Sequence, residues 1–181
     1  FTIRQINGIE IPLPPLTEQQ RIVAILDDAF AKIEKAKANA EQNLKNAKEL
    51  FDSYLQGVFE NKGEDWEERK LIEITNKIGS GATPRGGNES YKSKGISLVR
   101  SMNVHDFEFR EKNLAFIDDQ QAKELNNVTL QENDVLLNIT GASVARCCVI
   151  PKEFLPARVN QHVSIIRPKK EIIDPIFLNL L

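Results

Sequence analysis

A chain of 181 residues is long enough for one globular domain of ordinary size with an extended element beside it. Its 41% hydrophobic and 28% charged residues exclude a disordered or fibrous protein. No apolar run approaches the roughly 18 residues of a membrane span and no secretory leader pattern is present, which points to the cytoplasm, while a net charge of −2 does not advertise a nucleic-acid binder.

Residues 1–15 read as an extended tail. Ile3, Ile6, Ile9 and Ile11 with Gly8 suggest a short strand, and Ile11-Pro12-Leu13-Pro14-Pro15 leads stiffly into the next element. Residues 17–60 contain no Pro and a single Gly, Gly57, and are rich in Ala, Glu, Lys, Gln and Leu, which predicts one uninterrupted helix. Thr17 with Gln20 makes a capping box at its start, and Gly57 and Gly63 bracket its stop at Glu60. At about 1.5 Å per residue the helix reaches roughly 66 Å, about twice the width of a small domain.

The apolar stripe of this helix runs through Ile22, Leu26, Ala29, Ile33, Ala36, Ala40, Leu44, Ala47, Phe51, Tyr54 and Val58. Steps of three and four make a heptad seam with one stutter at Ala36, Ala40 and Leu44. Small residues in the middle and bulky ones at the ends suit two such helices lying antiparallel. The sequence holds only one, so the partner is a second copy, and a homodimer is expected. The alternative is an amphipathic helix lying on its own domain.

Residues 61–65 form a polar hinge, and Trp66 opens a globular domain over 66–181 with Leu71, Ile72 and Ile74 as early core residues. Residues 79–88 hold four glycines and Pro84, the most turn-rich stretch of the chain and a shaped loop with open backbone donors. It is not a P-loop, because the Gly-Lys-Ser/Thr ending is missing. Residues 96–100 alternate like a strand, Asp118 with Gln121 caps a short helix to about Leu125, and 135–140, 145–150 and 159–166 read as further strands. Adjacent Cys147 and Cys148 read as strand residues facing opposite sides, since neither zinc ligation nor a mutual disulfide suits that spacing. Asp174-Pro175 starts a helix that stops at Leu181, so both termini read as cuts within a larger pattern. The fold class is therefore α+β: one long coiled-coil helix and a mixed α/β domain.

No chemistry for an enzyme stands out. The two histidines have no nucleophile or metal-ligand partner at a useful spacing, His162 reads as a hydrogen-bonding strand residue, and no cofactor or metal is expected. Charge is segregated, however. Residues 77–110 carry six Lys/Arg against three Asp/Glu, and 143–170 six against one, while 111–134 carry two against six. Two basic segments can fold into one positive face. Their Arg, Asn, Gln, Ser and Thr side chains are those that read base edges and phosphates. Candidates for DNA contact are Ser80, Thr83, Arg85, Asn88, Lys92, Lys94, Arg100 and Asn103 from the first segment, with Asn138 and Thr140 and then Ser143, Arg146, Arg158, Asn160 and Gln161 of the second.

The run from Ile11 through Pro12-Leu13-Pro14-Pro15-Leu16-Thr17-Glu18-Gln19-Gln20-Arg21-Ile22-Val23-Ala24-Ile25-Leu26 to Asp27 closely resembles the conserved-region signature of specificity subunits of type I restriction-modification systems. Trp66 to Ile74, the Gly81-Ala82-Thr83-Pro84 loop, Asp134 to Leu137 with Gly141, and Asn160-Gln161-His162 resemble successive landmarks of that family's target recognition domain. The pattern departs at Asn133, where a Gly commonly precedes the Asp. The resemblance implies a non-catalytic subunit with the recognition domain at 66–181, the conserved helix at 16–60 and, at 1–15, the tail strand of a preceding recognition domain. It implies that each domain reads half of a split site in double-stranded DNA, that paired helices set the spacing, and that methyltransferase subunits bind along the scaffold. A half-length subunit or fragment accounts for the single helix. The other function in view is a coiled-coil assembly module that binds protein partners without DNA affinity of its own.

Overall fold

The computed structural model describes residues 2–181 apart from the side chain of Asn88, a candidate contact that therefore lies outside the described residues. The chain divides into two units, residues 1–64 and 65–181.

The first unit opens on a helical turn, α1 (Ile3–Ile6), where the tail was expected to form a strand. The reason is local: Thr2 and Gln5 make a capping box, the Gln5 amide oxygen accepting from the Thr2 backbone N–H at 2.8 Å. Extended backbone then leads to α2 (Leu16–Glu60), a helix of 45 residues as the composition predicts. Its start lies two residues earlier than the Thr17 capping box implies, because Pro15 serves as the cap and its carbonyl accepts from the N–H groups of Glu18 and Gln19. At the far end both the backbone and side-chain nitrogens of Asn61 donate to the Gly57 carbonyl. No residue of α2 is buried, and its stripe remains exposed along the whole length, from Ile22 at 40% through Ile33 at 61% to Phe51 at 44%.

The second unit contains nine strands. β1 (Thr75–Ser80), β6 (Val135–Asn138), β7 (Cys147–Val149) and β9 (Val163–Pro168) form an antiparallel sheet in the order β1-β9-β6-β7. β2 (Ile96–Val99) lies between antiparallel β5 (Ala115–Ile117) and parallel β8 (Ala157–Val159), and β3 (Val104–His105) pairs with β4 (Glu108–Phe109). The short helices are α3 (Asp119–Glu124), capped by Asp118 as predicted, and α4 (Pro175–Leu180), capped by Asp174. Backbone N–H donation from Gln121 lowers the pKa of Asp118.

Period-two alternation decides what each face of the larger sheet buries. Leu136, Cys148, Val163 and Ile165 join Leu98, Val99, Ile117 and Val159 in the main core. Val135, Leu137, Cys147, Val149 and Ile166 face the other way, against Leu178 of α4. The two cysteines thus do point to opposite sides. Leu71, Ile72 and Ile74 are not core residues: Ile72 is 72% exposed, while Leu71 and Ile74 line an apolar cleft of about 570 Å³ on this outer face. The strand expected over 159–166 is broken, because the Asn160 side-chain oxygen accepts from the His162 N–H and turns the chain from β8 in one sheet to β9 in the other. Asn133 sits at φ +71°, a left-handed conformation that accounts for a Gly suiting the position.

Candidate nucleic-acid interface

Strand register brings four chain segments to one end of the larger sheet. Ser80 at the end of β1 lies opposite Ser164, Asn138 at the end of β6 opposite Val163, and Leu137 opposite Cys147. The segments that leave β1 and β6 and those that enter β7 and β9 therefore emerge side by side. Three loops result, at residues 81–95, 139–146 and 160–162.

Side chains tie the loops together. The Thr83 hydroxyl donates to the Gln161 amide oxygen at 2.5 Å. The Gln161 amide nitrogen lies 3.0 Å from His162 Nε2, and the Thr140 hydroxyl 2.6 Å from His162 Nδ1. With the amide in this orientation its nitrogen donates, Nε2 accepts and the imidazole proton sits on Nδ1, directed at Thr140. Backbone bonds lie beneath: the Gly81 N–H donates to the Asn160 carbonyl and the Ile139 N–H to the His162 carbonyl. The loop runs so close here that a Cβ on Gly81 would lie 1.8 Å from the Val159 carbonyl oxygen, so no other residue fits.

Ser80, Arg85, Thr140 and Gln161 are the candidates at this end with exposed side chains, and half-buried Thr83, Ser143 and Arg146 lie in the same loops. His162 belongs with them. Its adjacency to Gln161 was the available signal, but nothing in the sequence places Thr140 beside it.

Four other candidates lie buried, with side-chain hydrogen bonds made inside the domain. Asn103 is fully buried, accepting from the Arg100 N–H and donating to the carbonyls of Arg110 and Lys112. Asn138 donates to the Ser101 carbonyl at 2.9 Å and also reaches the Val104 carbonyl and the Ser143 hydroxyl. Arg158 is 7% exposed and donates to the carbonyls of Ala122 and Ala157 and to the Asn126 side chain, and burial lowers its pKa. Asn160 makes the corner turn already described.

The expected positive face is also thinner than the segment charges imply. Lys92 pairs with Asp118 at 3.3 Å, Lys152 with Glu132 at 3.6 Å, and Arg167 with buried Asp134 at 2.7 Å, so the acidic segment neutralises residues of both basic ones. Arg100 stacks 5.2 Å over the Tyr91 ring and donates to the Asn113 carbonyl. Lys94 stands exposed on the same connection as Lys92, which bridges to β5 rather than to the sheet end.

Residues 1–44 match the family model of the type I restriction modification DNA specificity domain. Over 98% of its length the chain is 27% identical to the specificity subunit of the Escherichia coli type I restriction enzyme EcoBI, and over 95% it is 27% identical to that of the Methanocaldococcus jannaschii enzyme MjaVIII. It spans 42% and 43% of those relatives. Among solved structures, a chain from work on complex assembly and conformational transition of the type I R-M system superposes with a TM-score of 0.64 at 21% identity, covering 94% of this chain and 41% of that one. The HsdS subunit from Thermoanaerobacter tengcongensis gives 0.53 at 19% identity over the same shares. Fold, helix signature and extent of similarity agree: this chain is similar to the specificity subunits of type I restriction-modification systems.

Proposed function

We propose that this chain is a non-catalytic DNA-recognition component of a type I restriction-modification assembly. Its 66–181 domain reads one half of a split site with the loops at the end of the larger sheet. Its long helix pairs antiparallel with that of a second copy and carries methyltransferase subunits. The observation that carries the reading is the linkage of Thr83, Thr140, Gln161 and His162, from three loops far apart in sequence, at one sheet end, on loops that also carry Arg85 and Arg146.

One observation favours the assembly module without DNA affinity: Lys92, Lys152 and Arg167 are already matched by acidic partners. The two readings separate on a salt titration of duplex binding. A protein that neutralises Z phosphates loses affinity with a log–log slope of about −0.9Z. The two cations on the sheet-end loops, Arg85 and Arg146, predict a slope of about −2. Absence of any salt-dependent binding by the chain, with and without methyltransferase subunits, would replace recognition by assembly.

A further inference from the structure

We propose that Gln161 reads an adenine, and that Thr83 and His162 position its amide to do so. This rests on the DNA-reading function proposed above. A Gln amide offers two N–H donors and two oxygen lone pairs. One lone pair is taken by the Thr83 hydroxyl and one N–H by His162 Nε2, and Gln161 makes no other side-chain hydrogen bond among the described residues. One donor and one acceptor are left on an exposed group. Adenine is the base whose major-groove edge asks for that pair, N7 accepting and the N6 amino group donating.

Inverting the amide changes the directions of the flanking bonds without changing the count. Thr83 then accepts from the amide nitrogen, His162 Nε2 donates to the amide oxygen, and Nδ1 accepts from Thr140. One N–H and one lone pair are again free. The amide is also held at both ends before DNA arrives, so less freedom is lost on forming the bidentate contact than for a mobile Gln. Arg85 and Arg146, from the neighbouring loops, supply the phosphate contacts that fix register.

The test begins with selection by the full chain, with and without methyltransferase subunits, from a random-sequence duplex pool. The enriched site should contain an adenine at which 7-deazaadenine, which lacks the N7 acceptor, lowers wild-type affinity about 5- to 150-fold. Gln161→Ala should lose a similar factor on the natural site and show no further loss with the analogue. Gln161→Glu, which keeps the shape but only accepts, should shift the selected base at that position toward cytosine. Thr83→Val should relax the same position, and Thr83→Ser should restore it, which a merely structural role for Thr83 would not produce. If wild type enriches a site and Gln161→Ala enriches the same one with adenine preference intact, the inference is overturned and the recognition function stands. If wild type enriches nothing, the recognition function itself fails and takes the inference with it.

Discussion

Arg167 grips Asp134 across the larger sheet through two parallel hydrogen bonds, Nε to Oδ1 at 2.7 Å and Nη2 to Oδ2 at 2.8 Å, with the carboxylate wholly buried. The same guanidinium donates to the Thr129 carbonyl, and the carboxylate also accepts from the Gln131 N–H. The pair thus ties β9 to the connection that feeds β6. Arg167→Met leaves the buried charge without its partner and should lower stability by about 3–5 kcal/mol, measured by urea unfolding. A loss under about 1 kcal/mol would mean that water, not protein, satisfies Asp134 in solution.

The two thiols should be inert in the folded protein. Burial pushes Cys147 up to about 11 and Cys148 up to about 12, with Asp106 adding to the first shift. Neither forms enough thiolate near pH 8 to react quickly. Iodoacetamide at pH 8 should label neither in native protein and both in denaturant. The sign for stability follows: both folded values lie above the unfolded thiol value, so this contribution is complete below about pH 9 and is lost as pH rises toward 11–12. Rapid native labelling of Cys147 at pH 8 would show that the apolar cleft opens readily.

The exposed stripe of α2 predicts self-association, since burying one Leu, Ile or Phe side chain contributes about 1.5–3 kcal/mol. Sedimentation should give a mass of two chains. The double variant Ala36→Asp and Ala40→Asp sets carboxylates at the point of closest approach in the expected antiparallel pair, and should give a mass of one chain with helix content kept. A single-chain mass for wild type, across concentrations that bracket micromolar, would remove the paired-helix role.

Elements with local causes were legible in the sequence. The composition of residues 17–60 predicts α2 nearly to the residue, and Asp118 with Gln121 predicts α3, because propensity and capping act within a few positions. The tail misled because four Ile residues in nine positions suggest a strand while Thr2 and Gln5 close a helical turn. Asn103, Asn138, Arg158 and Asn160 have the chemistry of base readers, but the fold decides which polar side chains fasten a corner: Asn138 and Arg158 bond to Ser101 and Asn126, 37 and 32 positions away, while Asn103 and Asn160 close local corners whose burial only the packed domain creates. The segment charges misled for the same reason: Lys92 and Asp118 are 26 positions apart, and only the fold pairs them.

Where the loops attach has a consequence for how such a protein changes over generations. The fasteners at the sheet end, Gly81, Asn138 and Asn160, belong to the body of the domain, whereas Arg85, Thr140 and Arg146 ride on the intervening tips. A recombination that exchanges residues 82–88 or 140–146 rewrites the tips, with the Thr83 and Thr140 ties among them, and leaves Gly81, Asn138 and Asn160 in place. Under the DNA-reading function proposed above, the address can then be edited as one edits a word, with the grammar of the fold untouched.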